Sequence, residues 1–209
     1  KTWTVTSADR VPEMFREAFR VAMAPRRGPV QLNLPRDVLA ANAEMPTFQS
    51  PDSYRPLNAP CASQDLIQDA AKLLRKATKP VILVGGGIKN TCGHEQAIAL
   101  AEALNAPLIS SPGHGDAIPF SHPLNAGQMG PRGNVVASRL AKEADVILAL
   151  GTRLGFNSTF YTYDNINQNA EIIQVELEPT ALGRYFPIHR LNILLHLLHA
   201  LTLEKVLLN

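Results

Sequence analysis

Three apolar runs in this chain end in residues able to meet a phosphate or a sugar. Val81-Ile82-Leu83-Val84 leads into Gly85-Gly86-Gly87, and Val146-Ile147-Leu148-Ala149-Leu150 leads into Gly151-Thr152-Arg153. A third run ends Val175-Glu176-Leu177-Glu178-Pro179. Glycines at a strand end let backbone N–H groups approach an anion, with a helix N-terminus behind them. Thr152 offers a hydroxyl, and Arg153 a planar guanidinium that can clamp a phosphate or stack on a ring. An acidic residue such as Glu176 or Glu178 is a candidate for ribose hydroxyls. A plainer account is equally open. In it the glycines merely permit tight βα turns, Arg153 pairs with a carboxylate, and Glu178 is solvated. Gly85-Gly86-Gly87 does not reproduce the G-x-G-x-x-G fingerprint, so a stand-alone NAD-dependent oxidoreductase module is weakly supported.

A second chemical segment is the loop from Ser110 to Pro123, which continues to Gly127, Gly130 and Gly133. It is too long and Gly-rich for a simple connector, which points to a functional or interfacial role. His114 and Asp116 are its acid–base candidates, although such residues more often hydrogen-bond their own loop. The six histidines show no metal-ligand spacing with matching carboxylates or cysteines. His196 and His199, three apart on a tail segment, read as a solvated face. No Ser-His-Asp or Cys-His arrangement emerges.

The elements that must position these groups alternate. Leu66, Ile67, Ala70, Ala71 and Leu74 form the apolar face of a helix that Ser63 can cap, with Asp65 and Asp69 early and Lys72, Arg75 and Lys76 late. Further helices are predicted over about 93–105 and 134–143, and strands over 80–84, 107–110, 145–151 and 171–176. Continuous apolar runs indicate strands buried on both faces. Strands alternating with helices of this length imply right-handed crossovers and a doubly wound, mostly parallel α/β sheet. Upstream, Val11, Met14, Phe15, Ala18, Phe19, Ala22 and Met23 recur at helical spacing. Thr6 and Asp9 read as a capping pair, Pro12 as an early helical residue, and Pro25 and Gly28 as the stop. Residues 29–35 alternate as a short strand. One helix and one strand cannot make a core, so residues 1–45 need a partner. Residues 46–60, punctuated by Pro46, Pro51, Pro56 and Pro60, read as a semi-rigid linker.

The composition agrees. Of 209 residues, 45% are hydrophobic and 18% charged, which excludes general disorder. Twenty basic against eighteen acidic residues leave +2, no footprint for nucleic acid. Two cysteines, Cys61 and Cys92, suit a reducing cytoplasm rather than a disulfide scaffold. No stretch of eighteen uninterrupted apolar residues argues for a membrane span. The first residues lack an initiating Met and a signal-peptide core, as expected of a chain cut from something longer.

Five ordered segments resemble one family. Gly28-Pro29-Val30-Gln31-Leu32-Asn33-Leu34-Pro35-Arg36-Asp37-Val38 resembles the "GPV-x-L-x-(I/L)-P-x-D-V" stretch that closes the pyrimidine-binding domain of thiamine-diphosphate-dependent enzymes, the family of acetolactate synthase and sulfoacetaldehyde acetyltransferase. Lys79 to Gly87 resembles the opening strand of that family's central domain, and His122-Pro123 to Gly130 its "HP…G…G" loop. Ala144 to Leu154 resembles "ADV-(I/L)-L-x-(L/F)-G-(T/A/V)-R", and Ile172 to Pro179 resembles "I-I-x-(V/I)-D-(I/V)-(D/E)-P". The resemblance implies that residues 1–45 end a pyrimidine-binding domain, 46–60 link, 61–187 form a Rossmann-like central domain, and 188–209 make a divergent C-terminal helix. It implies an oligomeric parent, dimer or tetramer, that decarboxylates a small 2-keto acid or cleaves a related donor with thiamine diphosphate and Mg2+. The glutamate that activates that cofactor, and the "GDG…N" metal motif, belong to segments not found in these 209 residues, so this chain alone is expected neither to bind the cofactor nor to turn over substrate. Central domains of the family bind FAD, ADP or nothing. The positions matching the flavin contacts are Gly85, Gly86, Gly87, Gly151, Thr152, Arg153 and Glu176. Flavin-binding synthases follow that arginine with acidic and basic residues, whereas here Leu154-Gly155-Phe156-Asn157-Ser158 stand. A purely structural or oligomerisation domain is the remaining alternative.

Overall fold

A βαβ unit opens the chain. Strand β1 (Thr2–Thr4) and strand β2 (Gln31–Asn33) pair in parallel, Trp3 opposite Leu32, with helix α1 (Val11–Ala22) between them. Helix α2 (Arg36–Ala40) follows. The computed structural model describes residues 1–24, 27–44, 46–54, 62–188 and 192–194. The chain divides into two compact units, Lys1–Ala59 and Pro60–Asn209. In the first unit the apolar stripe of α1 is largely uncovered: Ala18 is buried, but Phe15, Phe19 and Met23 are 42%, 57% and 42% exposed. Pro12 sits in the first helical turn, as expected. The Thr6–Asp9 capping pair does not form. A 3-10 turn at Ala8–Arg10 precedes the helix, Arg10 is its N-cap, and no side chain caps either element. Pro25, Pro56 and Pro60 lie outside the described residues.

The second unit begins with helix α3 (Gln64–Lys76), whose first turn is capped by Ser63 Oγ accepting from the Leu66 N–H at 3.4 Å. Then come β3 (Pro80–Val84), α4 (Gly86–Asn90), α5 (His94–Leu104), β4 (Leu108–Ser110), β5 (Asn125–Gln128), α6 (Val135–Glu143), β6 (Val146–Leu150), α7 (Phe156–Thr159), β7 (Glu171–Glu176) and β8 (Asn192–Leu194). The sheet runs β5-β4-β3-β6-β7-β8 with every neighbouring pair parallel. Counted in chain order, that is 3-2-1-4-5-6, the order of doubly wound dinucleotide folds.

Alternation along the strands separates two apolar layers. Ile82, Val84, Leu148, Leu150 and Ile173 face α3 and α5, meeting Ile67, Leu74 and Leu100. Val81, Leu83, Ile147, Ala149 and Ile172 face the opposite side with Ala137 and Ala141 of α6 and with Met129, Ile166 and Phe186. Each fully buried Leu or Ile contributes about 1.5–3 kcal/mol, so these two layers hold the sheet.

Two elements depart from expectation. The loop after Ser110 contains β5, which extends the sheet beyond β4. Within the stretch 188–209, expected as a helix, Asn192–Leu194 form strand β8, paired with Gln174–Glu176; residues 189–191 and 195–209 lie outside the described residues. Without it the outer edge of β7 would leave N–H and C=O groups unpaired, and pairing outweighs the helical pattern of so short an apolar run. His189, His196 and His199, assigned to that helix, lie outside the described residues.

Candidate functional site

Strands β3 and β6 are sheet neighbours whose connections run in opposite directions, β3 toward β4 and β6 toward β7. The crevice at their carboxyl ends is therefore the topological switch point, where ligands bind in open α/β sheets. The structure brings Gly85, Gly86, Gly87, Gly151 and Thr152 together there. Arg153 follows, exposed, and Glu176 ends the adjacent β7, half-buried.

The glycines are packed backbone against backbone. The Gly85 N–H donates to Leu150 O, Gly87 N–H to Gly151 O and Gly151 N–H to Val175 O, each at 2.9 Å. A Cβ on Gly85 would lie 2.5 Å from Gly151 O, and one on Gly87 would lie 2.5 Å from Gly151 Cα. Gly151 has φ +61°, a conformation that suits glycine, and its own Cβ would meet Gly87 Cα at 2.6 Å. Glycine is required at these three positions so that two strand ends can touch, and their N–H groups are already given to carbonyls.

Gly86 faces the other way. A Cβ there would stand 2.7 Å from Cε1 and 3.0 Å from Nε2 of His114. His114 follows β4, and its loop is pinned by His114 N–H to Ser111 O (3.1 Å) and Ala117 N–H to His114 O (3.0 Å). Burial, and secondarily the positive charge of Lys89, lower the His114 pKa, with Asp116 pulling in the opposite direction. The imidazole is therefore held toward its neutral form. Asp116 does not form a dyad with it. Its carboxylate takes both Lys89 contacts, at 2.6 and 2.8 Å, tying α4 to the loop. The Lys89 hydrogen bond also holds the exposed Asp116 carboxyl below the usual range.

Around this point, Gly113 N–H donates to Gln128 Oε1 at 3.2 Å and Met129 N–H to Ser110 O at 2.9 Å. Gly130 lies so close to the Asn157 carbonyl that a Cβ would be 2.9 Å from it. Loops after β3, β4, β5 and β6 thus converge. After Arg153 the backbone is strained: Leu154, Phe160 and Tyr161 all have positive φ, at 52°, 52° and 57°. Strain of this kind concentrates where surrounding structure enforces it. Here it presents Phe156, Phe160 and Tyr161 at the surface, with Tyr161 stacked on Tyr185 at 4.4 Å.

Sequence reasoning passed over Gln174, although a lone amide inside the Ile172-Ile173-Gln174-Val175 run was its signal. Only 2% exposed, it donates from Nε2 to Thr152 O (3.1 Å) and Ala181 O (3.4 Å) and accepts the Gly183 N–H at Oε1 (2.9 Å). It positions the backbone of Thr152. The acidic strand end behaves locally: Glu176 Oε1 accepts its neighbour's N–H from Leu177 at 2.9 Å, and Glu178 caps the turn through Thr180. Among the described residues, no three His, Cys, Asp or Glu side chains are grouped to hold a metal ion. Nor is any helix among them long and apolar enough to cross a membrane.

Strand order and switch point define a doubly wound α/β domain of nucleotide-binding type. A family profile described as "Thiamine pyrophosphate enzyme, central domain" matches residues 67–202. The chain belongs to the thiamine pyrophosphate enzyme family, and most of it is that family's central domain. It is 40% identical over 183 residues to a sulfoacetaldehyde acetyltransferase of Castellaniella defragrans, and 34% over 184 residues to the acetolactate synthase large subunit of Corynebacterium glutamicum. Each alignment takes in 86% of this chain but 29% of the relative, so the chain spans less than a third of their length. A thiamine diphosphate-dependent 4-hydroxybenzoylformate decarboxylase of Rhodococcus jostii RHA1 shares the fold, with a TM-score of 0.75 at 24% identity over 99% of this chain and 38% of its own.

The flavin that some central domains carry can be tested against this geometry. The strand order suits a dinucleotide. The glycine turn does not, because the Gly85 and Gly87 N–H groups, like that of the facing Gly151, are committed to carbonyls and the face of Gly86 is covered by His114.

Proposed function

We propose that this chain is part of a thiamine-diphosphate- and Mg2+-dependent enzyme that cleaves a small 2-keto acid or a related donor and passes the acyl fragment to an acceptor, as an acetolactate synthase or a sulfoacetaldehyde acetyltransferase does. The observation that carries this reading is the family match over 67–202, which falls on the 3-2-1-4-5-6 sheet. When bound, thiamine diphosphate acts as the electron sink for such chemistry, and the protein supplies orientation and a dry site. In this reading residues 61–187 are the central scaffold, 46–60 the linker and 1–45 the end of the pyrimidine-binding domain. The cofactor and its metal are held by parts of the parent other than these residues. The parent is a homo-oligomer, a dimer or a tetramer, which would give the uncovered Phe15 and Phe19 of α1 a partner surface.

The contribution of this chain's own residues is positional. The Gly85–Gly87 turn locks onto Gly151, and Gln174 holds Thr152, so the carboxyl edge of the sheet is a rigid platform. The test is to incubate the full-length polypeptide carrying this sequence with pyruvate or with sulfoacetaldehyde plus phosphate. Donor consumption that depends on both thiamine diphosphate and Mg2+ is expected. No turnover of any 2-keto acid or sulfoacetaldehyde by the loaded protein would refute the reading. In parallel, calorimetric titration of the 209-residue chain with thiamine diphosphate and Mg2+ should show no binding in the micromolar range, and finding it would move the cofactor site into this chain.

A further inference from the structure

The glycine turn at the switch point is enclosed from two sides, by materials of different kinds. On the β6 side Gly85 and Gly87 meet the backbone of Gly151 and Thr152, which cannot withdraw without breaking the sheet. On the β4 side Gly86 meets one side chain, the His114 imidazole, with three ring atoms between 2.7 and 3.3 Å of where a Cβ would be. A dinucleotide fold seats its diphosphate against this turn by close approach to glycine backbone. Whatever reaches for the Gly86 face meets the imidazole first.

We propose that His114 is a specificity-determining residue that closes the switch-point crevice and excludes the diphosphate of a flavin or adenine dinucleotide from this domain. Two features fix the ring in that role, and one works against it. Its loop is hydrogen-bonded on both sides of His114, to Ser111 and from Ala117. The Lys89–Asp116 ion pair straps the same loop to α4, the helix that Gly86 begins. His114 Nδ1 is buried without a hydrogen-bond partner. A buried polar atom left unpaired costs about 1–3 kcal/mol, so the ring is held there by its loop and its packing against that cost. The ring does structural work over a surface that the fold otherwise leaves for a ligand.

The inference rests on the fold and not on the reaction proposed above, so either can fail alone. FAD is the probe, followed by flavin fluorescence and equilibrium dialysis with the 209-residue chain. The unaltered chain should retain no flavin at concentrations up to about 100 μM, well above those at which useful cofactor sites fill. His114→Ala should bind it at least about tenfold more tightly, a difference of about 1.4 kcal/mol. His114→Phe keeps the bulk without the imidazole and should exclude flavin as the unaltered chain does. Flavin captured by the unaltered chain overturns the proposal, as does equal indifference of the unaltered and Ala forms. Binding by His114→Phe at the level of His114→Ala would overturn it as well, because bulk would then not be the cause.

Discussion

Placing a methyl group on Gly86 tests the packing at the switch point directly. In Gly86→Ala the new Cβ would stand 2.7 Å from His114 Cε1 and 3.0 Å from Nε2, where carbon contacts settle near 3.5–4.0 Å. The ring must therefore retreat by about 1 Å from a loop pinned at Ser111 and Ala117. Overpacking of that order costs about 1–3 kcal/mol. Gly86 does not adopt a positive φ, so the backbone itself accepts alanine. With the ring removed in His114→Ala, the same methyl should cost nothing, and lower chain entropy when unfolded can add about 0.4–1 kcal/mol of stability. The expected coupling between the two substitutions is thus about 2 kcal/mol. Urea unfolding of the four chains measures it. Two controls bracket the result. Gly155→Ala meets nothing within 4 Å and should be near neutral, whereas Gly87→Ala drives a Cβ to 2.5 Å from Gly151 Cα and should destabilise both backgrounds alike. Additive effects of Gly86→Ala and His114→Ala would refute the packing argument.

Further outcomes follow from other contacts. Gln174→Leu keeps the volume but strands the Thr152 and Ala181 carbonyls and the Gly183 N–H; at about 1 kcal/mol for each group, a loss of about 3 kcal/mol is expected in chemical unfolding. Burial pushes the Asp145 carboxyl up, but the Thr78 hydroxyl and the Thr78 and Lys79 N–H groups outweigh it and hold the carboxyl below its ordinary range. A depressed acid stabilises the fold above its unfolded pKa, near 4, and that stabilisation fades as pH falls through the folded value. Asp145→Asn should therefore be less stable at pH 7 by about 1.5–3 kcal/mol and show a smaller further loss on acidification below pH 4, read as the midpoint of thermal unfolding. The lowered His114 pKa has the corresponding sign: its contribution is present above about pH 6.5 and is lost as pH falls through the folded value. His114→Phe should flatten the decline in stability below pH 6.5, and an unchanged slope would show that His114 is not perturbed.

Much of this fold is legible as pattern. The central strands β3 and β6 are apolar without interruption, and burial on both faces leaves no polar alternation to mislead. Ser63 announces the start of α3, and Asn105, left-handed at φ 47°, closes α5. What escapes pattern is pairing that depends on distant partners. Asn125–Gln128 lacks β-branched residues and becomes a strand because the edge of β4 needs hydrogen bonds. Asn192–Leu194 does the same at the edge of β7. The stripe of α1 reads as a buried face, yet its periodicity says only that the face is apolar and nothing about what covers it.

The glycine turn shows the same limit at the level of chemistry. Three consecutive glycines announce that a backbone must come close to something, and the residues alone leave open whether that is a phosphate or another strand. In the structure the two outer glycines answer to Gly151 and the middle one to His114. His114 and Asp116 read from the sequence as acid–base candidates, or more often as residues that hydrogen-bond their own loop; in the structure Lys89, twenty-seven residues from Asp116, takes the carboxylate and leaves the imidazole to packing. A crevice placed by topology for a ligand is here filled by the chain's own backbone and one side chain. On the proposal made above, His114 is the side chain whose removal would reopen a nucleotide site there.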